Sequence, residues 1–371
     1  MFKPDKLILT AGPSVTDLEL KYTSDAVKNG WNENWSGYLT KFETKFAEIV
    51  GSRYAVSTSS GTGALHLSLL ALGIGEGDEV ILPDLTWVAT AHAVKYTGAN
   101  PVFVDVDPNT WTIDPDKIFP AINNRTKAIM PVHLYGHPCD MENLMDIANE
   151  FKLSVVEDAA PAVGAMFKDK CAGSIGDFGV FSFQGAKMVV TGEGGMIVSN
   201  DKSLIDKVRR IGDHGRAPKE NNPFWIDSVG FKYKMSNIQA AFGLAQIERL
   251  DELITKKRTI FGWYYDRLKD IEGLQLNKEA DWAKSIYWMP SICLNGDFPI
   301  TRNQLIKALK IDLIDTRPVF PKLSMMKMWK EQHNPITEHI SKNALNLPGG
   351  HNLDEEIVDY ICRSIKFHLT K

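Results

Sequence analysis

Val80-Ile81-Leu82, Val102-Phe103-Val104-Asp105-Val106, Ala128-Ile129-Met130 and Ser154-Val155-Val156-Glu157 are four short apolar, β-branched runs. Helical patterns at 86–96 and 141–151 lie between them. Strands that alternate with helices of this length predict a mostly parallel sheet covered on both faces. The fold class is α/β.

Beyond residue 200 the texture changes. The stretch 236–269 reads as one long helix, with apolar residues at Ile238, Ala241, Ala245, Leu250, Leu253 and Ile254. From about Gly273 onward the apolar runs are separate, and a helix over 301–309 is expected to be capped by Thr301. A boundary is therefore placed near 245–275, which gives units of 1–250 and 251–371. No low-complexity linker or internal repeat separates them, so the units are expected to pack tightly. A single large α/β domain is the alternative.

The chain has 371 residues, 44% hydrophobic and 24% charged, which excludes a mainly disordered chain, a collagen-like repeat and a disulfide scaffold. A net charge of -4 gives no footprint for nucleic acid or an anionic membrane. Cys139, Cys171, Cys293 and Cys362 form no CxxC pair and read as reduced thiols of a cytoplasmic protein. The opening Met1-Phe2-Lys3-Pro4-Asp5-Lys6 lacks the apolar core of a signal peptide. Residues 54–75 carry no Asp, Glu, Lys or Arg, but their apolar part is only 64–72, too short to span a bilayer.

Three segments carry candidate chemistry. Ser59-Ser60-Gly61-Thr62-Gly63-Ala64-Leu65 opens a small polar loop into an apolar helix. Backbone N–H groups at such a start favour an anion, and the Ser60 and Thr62 hydroxyls add donors. The plainer reading is a capped helix with a glycine turn; neither GxGxxG nor GxxxxGK[ST] is present. In Val155-Val156-Glu157-Asp158-Ala159-Ala160 a strand runs into two acids at the carboxyl end of the sheet, where α/β proteins bind ligands. Either acid suits a protonated ring nitrogen or a metal, and a solvated strand end is the plainer reading. Finally, the aromatic-rich run 176–187 ends at Lys187 and is followed by Thr191-Gly192-Glu193-Gly194-Gly195. An isolated lysine is nearly always a surface residue. A lysine that closes a strand before a glycine turn suits a desolvated pocket and Schiff-base chemistry.

His133, His137, Cys139, Asp140 and Glu142 are dense enough to raise a metal-dependent hydrolase. They match neither HExxH nor paired CxxC, and a loop turn with Asp140 as helix cap explains them equally well, so no metal is assigned.

Taken together, an anion-binding helix start, a strand-end aspartate and a pocket lysine are what pyridoxal phosphate requires. Trp87, just beyond a strand, is placed to stack on its ring.

The ordered segments 59–67, Pro131-Val132-His133-Leu134-Tyr135-Gly136-His137-Pro138, Glu157-Asp158-Ala159-Ala160, Phe181-Ser182-Phe183 with Lys187, Gly192-Glu193-Gly194-Gly195, 233–241 and Asp315-Thr316-Arg317-Pro318 carry a resemblance. In them the chain resembles the sugar aminotransferase family of the DegT–StrS group, most closely its GDP-perosamine synthase-like members, from Gly30 to about Pro348. The resemblance implies an aspartate aminotransferase-like fold (fold type I). Residues 1–250 form its cofactor-binding large domain and 251–371 a smaller C-terminal α/β domain.

It also implies roles. Lys187 holds pyridoxal phosphate as a Schiff base and shuttles the proton, Asp158 pairs with the ring nitrogen, and Trp87 stacks on the ring. Gly61, Thr62 and Ser182 hold the phosphate. Asn237 reaches the phosphate of a neighbouring subunit, which implies a homodimer with shared sites. Arg317 lies near the nucleotide-sugar substrate. Members that dehydrate sugars carry His where Lys187 stands, so the aminotransferase branch is implied. Pro161 departs from the Gln, Glu or His of many members and removes a donor near the cofactor, which bears on substrate subtype.

The implied activity is amination of a keto sugar nucleotide, GDP-4-keto-6-deoxymannose or similar, with glutamate as donor. A small phosphorylated ketone or another keto sugar is the alternative substrate. A non-catalytic regulator that merely binds the cofactor is the reading from another class.

Overall fold

Alternation within β2 (Glu79–Pro83) places Val80 and Leu82 in one apolar core and Ile81 in another, so this strand is buried on both faces. The computed structural model describes residues 4–216, 222 and 224–370; Met1, Phe2 and Lys3 of the opening segment lie outside the described residues. Strand β2 belongs to a seven-stranded sheet with β1 (Tyr54–Thr58), β3 (Asn100–Val104), β4 (Thr126–Ile129), β5 (Ser154–Asp158), β6 (Phe178–Ser182) and β7 (Gly195–Ser199). Its order is β1-β7-β6-β5-β4-β2-β3. The neighbours from β3 through β6 are parallel, and β7 runs antiparallel to both β6 and β1. The expected mostly parallel α/β sheet is the one observed.

One face is covered by α3 (Gly61–Ala71), α4 (Ala89–Tyr96) and α6 (Lys202–Gly212), whose apolar residues pack with Leu82, Val156 and Val180. The other face receives α2 (Gly37–Val50), α5 (Met141–Phe151) and α7 (Asn237–Glu248), against Ile81, Val155 and Phe181. Helix α1 (Asp17–Asn29) starts at Thr16, which forms a capping box with Glu19.

The helix expected over 236–269 is two helices, α7 and α8 (Leu250–Leu268). The break falls at Arg249, whose φ of -105° and ψ of 14° leave the helical region. Its guanidinium reaches back to the buried Glu19 at 2.8 Å and to the Ser14 hydroxyl at 2.7 Å. A tertiary ion pair bends the chain where neither proline nor glycine stands. The pattern over 86–96 likewise turns helical only at Ala89, because Thr86, Trp87 and Val88 form the turn that carries Trp87 outward.

Past α8 a second sheet of β8 (Leu274–Leu276), β9 (Ser291–Leu294), β10 (Arg317–Pro318) and β11 (Ala344–Asn346) is antiparallel throughout, in the order β8-β9-β11-β10. It shares a core with α8, α9 (Arg302–Ile311) and α10 (Glu355–Thr370), through Tyr264, Leu305, Leu345 and Ile361. Thr301 caps α9 in a capping box with Gln304. Ile8, near the start of the chain, pairs with Ile314 and packs in this second core.

The two sheets are bolted together beside the parallel strand ends. Asp84, fully buried just past β2, accepts from the Ser324 amide at 2.7 Å, the Ser324 hydroxyl at 2.6 Å and the Asn334 side chain at 2.8 Å. That clamp fixes the segment after β10 against the turn bearing Trp87. Among the described residues no helix is long and apolar enough to cross a membrane.

Candidate active site

At the start of α3, Ser60 accepts from the Gly63 amide through its hydroxyl at 3.0 Å and from the Ala64 amide through its carbonyl at 3.0 Å. The amides of Gly61 and Thr62 have no partner among the described residues, so the first turn presents them to an anion. Glycine is required at 61, because a Cβ there would come within 2.8 Å of the Ser182 Cβ. That close approach brings the Ser182 hydroxyl, at the end of β6, beside the helix start.

Asp158 ends β5 and is 4% exposed. Its Oδ2 accepts from the Thr90 hydroxyl at 2.8 Å and its Oδ1 from the Ala160 amide at 3.1 Å. Burial pushes its carboxyl above the ordinary value, while these donors and the Lys187 charge pull it back. Lys187 lies in the turn between β6 and β7. Burial lowers its amine to about 8, and the Asp158 charge acts against that fall.

A cavity of about 550 Å³ at the carboxyl ends of the parallel strands gathers these groups. Gly61, Thr62, Trp87, Asp158, Ser182, Lys187 and Arg317 all line it, and so does Pro161. Trp87 is 59% exposed at one wall and meets Phe320 at 5.8 Å between ring centroids. Arg317 stands at the mouth, 3.3 Å from the Asp315 carboxylate.

Asn237 is not in this cavity. Its Oδ1 accepts from the Tyr38 amide at 2.9 Å and the Leu39 amide at 3.4 Å, so it serves the first turn of α2, where Ser36 provides no side-chain cap. Its Nδ2 donates to the Gly30 carbonyl at 3.4 Å.

The His133–Glu142 segment is otherwise employed. The Cys139 amide donates to His133 Nδ1 at 2.9 Å, which leaves Nε2 as the protonated nitrogen facing Glu157 at 3.0 Å. His137 Nε2 accepts from the Ala280 amide, Asp140 caps α5 and Glu142 pairs with Lys168. Among the described residues no group of His, Cys, Asp and Glu is arranged to hold a metal.

The sequence reading missed Thr90, Trp288 and Phe320. Thr90 sits three residues past Trp87 and carries a readable signal, since it lies one turn along the same helix start. Trp288 and Phe320 come from the far part of the chain and carry none.

The donor set fits pyridoxal phosphate. Two free amides and a hydroxyl suit a phosphate, a buried aspartate suits a protonated ring nitrogen, and a lysine of lowered basicity lines the same cavity. These features fit the class of pyridoxal-phosphate enzymes.

The chain belongs to the DegT/DnrJ/EryC1/StrS aminotransferase family, whose pattern it matches over residues 13–366, and it is a pyridoxal-phosphate-dependent aminotransferase. It is 44% identical to the GDP-perosamine synthase of Escherichia coli O157:H7, over 97% of this chain and 98% of that protein. It superposes on DesI, solved in the presence of its TDP-sugar product, with a TM-score of 0.91 at 29% identity, over 99% of this chain and 94% of that one. The pyridoxal-phosphate form of the putative sugar aminotransferase Spr1654 from Streptococcus pneumoniae gives a TM-score of 0.91 at 26% identity, over 98% of this chain and 99% of that one.

Proposed function

We propose that this aminotransferase moves the amino group of glutamate onto a 4-keto-6-deoxy nucleotide sugar, GDP-4-keto-6-deoxymannose or a near relative. The observation that carries the reading is one cavity that combines a cofactor-type donor set with an arginine at its mouth. Full-length similarity to a GDP-perosamine synthase supports the choice of sugar.

When bound, the cofactor supplies an electron sink for the carbanion formed at the amino-bearing carbon. The chain's own residues do the rest. The Gly61 and Thr62 amides and the Ser182 hydroxyl anchor the phosphate; Asp158 holds the ring nitrogen protonated. The Trp87 ring stacks on the cofactor's face, and Lys187 takes and returns the proton at its Nζ. Arg317 offers two parallel N–H donors to a substrate phosphate.

The same reading divides the chain at residue 250 and makes it a cytoplasmic homodimer. Four free cysteines support the compartment. Trp31, Trp35 and Trp225, each more than half exposed in the single chain, support a covering second copy. Asn237 would then serve the partner's phosphate with its amide. Turnover of a panel of keto sugar nucleotides and keto phosphates with glutamate tests the substrate. A preference for a small keto phosphate would reject the nucleotide sugar and leave the transaminase intact.

A further inference from the structure

Trp288 and Lys187 line the same cavity, and the indole ring lies in contact with the lysine amine. The Lys187 ammonium lies over the indole face, 4.0 Å from the ring centroid. Among the described residues Lys187 Nζ makes no side-chain hydrogen bond, and the Asp158 carboxylate is the charge that acts on it.

The ring is fixed from three sides. Its Nε1–H donates to the Ala186 carbonyl at 2.9 Å, which ties the indole to the residue next to the lysine it faces. Its own carbonyl accepts at 3.1 Å from the ammonium of Lys257, a fully enclosed residue of α8 that also donates to the Gly349 carbonyl. Tyr135 lies against it at 6.0 Å between centroids. Trp288 is 6% exposed, so little water competes for its face. A cation over a desolvated tryptophan is held by the negative face of the ring.

We propose that Trp288 is a positioning residue for Lys187: its indole face is the seat of the lysine ammonium whenever Nζ carries a proton. The inference rests on Lys187 being the proton carrier of the proposed reaction. In that role Nζ must gain a proton beside the substrate carbon and then give it back. A ring face serves this better than a carboxylate, because it steadies the charged amine without accepting a hydrogen bond or taking the proton. The N–H bonds that do not face the ring stay free for the cavity. The Ala186 tether moves lysine backbone and ring together, so the distance survives small motions of the turn.

The test measures Lys187 itself, in full-length protein resolved of cofactor, by competitive acetylation across pH 6–11 with peptide mapping. Trp288→Leu keeps the site apolar and removes the ring face, and Trp288→Phe keeps a face and loses the tether. The titration midpoint of Lys187 should fall by about 1 pH unit in the Leu variant. In the Phe variant it should fall by less than half of that.

A Leu midpoint equal to the wild-type one, or a Phe shift as large as the Leu shift, overturns the proposal. Fluorotryptophan incorporation weakens the ring face with almost no change of shape, and should move the midpoint in the Leu direction even if the Leu variant fails to fold. An unmoved midpoint there overturns the proposal too. Because no cofactor is present, these results are independent of where the cofactor attaches. Borohydride fixation of the loaded wild-type protein, with peptide mapping, tests that attachment separately.

Discussion

Glu157 and Asp158 are neighbours on β5, yet their carboxylates are buried on opposite sides of the sheet. Asp158 faces the cavity and Thr90. Glu157 accepts four hydrogen bonds, from the Gly173 amide at 2.8 Å, the Ile175 and Gly176 amides at 2.7 Å each and His133 Nε2 at 3.0 Å. Strand alternation forces this division of labour. The pleat decides which acid lines the cavity, and the other pins the 173–176 loop.

The two acids should therefore fail differently. Glu157→Gln turns an amide N–H toward a ring of donors and should destabilise the fold by roughly 3 kcal/mol, read by urea unfolding. Asp158→Asn should keep the fold and the bound cofactor while turnover drops at least about a hundredfold. Equal stability losses in the two variants would contradict the assignment.

Thr90 shares the burden of Asp158. Its hydroxyl donates to Oδ2 and lies 3.2 Å from the Thr86 hydroxyl. Removal of a donor to a buried carboxylate costs about 1.5–3 kcal/mol, so Thr90→Val should lower turnover roughly tenfold or more. Thr90→Ser should restore most of it. A Val variant as active as wild type would mean that the Ala160 amide suffices.

The parallel sheet was legible in the sequence because its strands are buried on both faces and read as continuous apolar runs. The glycine turn before α3, the strand-end acids and the buried lysine were legible because each sits where one element gives way to the next. The break at Arg249 was not, because it depends on Glu19, some 230 residues earlier in the chain. Neither was Trp288: its place beside Lys187 comes from a fold that brings the chain after α8 back over the lysine turn. Asn237 shows the same limit, since its carbonyl is spent on the start of α2.

Lysine basicity makes a pH prediction for the cofactor-free chain. The amine titrates near 8 when folded and near its ordinary 10.5 when unfolded. Between those values the unfolded chain holds a proton that the folded chain has released, so stability rises with pH across that window. Below 8 and above 10.5 the slope from this group vanishes. Urea unfolding of wild type and Lys187→Met at several pH values isolates it, because Lys257 is common to both. The wild type should gain on the variant from pH 8 to pH 10, and a flat difference refutes the lowered value.

Asn237 separates a local cap from a role across an interface. Asn237→Asp keeps an acceptor for the Tyr38 and Leu39 amides and gives up only the long donation to the Gly30 carbonyl, so it should cost the fold less than loss of the cap does. Asn237→Ala should cost about 1 kcal/mol, as loss of a helix cap does. If the amide reaches a partner's phosphate, the Asp variant should bind cofactor at least about tenfold more weakly through charge repulsion. Mixing the Asn237→Asp and Lys187→Ala proteins should then restore activity in hybrid dimers. Tight cofactor binding by the Asp variant, or a monomer in sedimentation, rejects the shared site.

Arg317 supplies the last prediction. Its side chain is 68% exposed in the single chain, so the Asp315 pair at 3.3 Å is weak and the fork remains available to a ligand. Asp315 is held by the Thr10 hydroxyl at 2.6 Å, which aims the carboxylate and, through it, the guanidinium. A substrate phosphate at the mouth is remote from the reacting carbon and is bound alike in ground and transition states. Losing it should raise KM more than it lowers kcat. Arg317→Ala should raise KM for the keto sugar nucleotide roughly tenfold to a hundredfold, with kcat within about threefold and the absorption spectrum of the bound cofactor unchanged. Arg317→Lys should recover only part, since an ammonium lacks the planar fork. KM for glutamate should move far less if Arg317 serves the sugar's phosphate and not a carboxylate of the donor, since the guanidinium fork suits either anion. A KM change shared by both substrates would mean that Arg317 also meets a carboxylate of glutamate, and an unchanged KM for the sugar would remove it from the site.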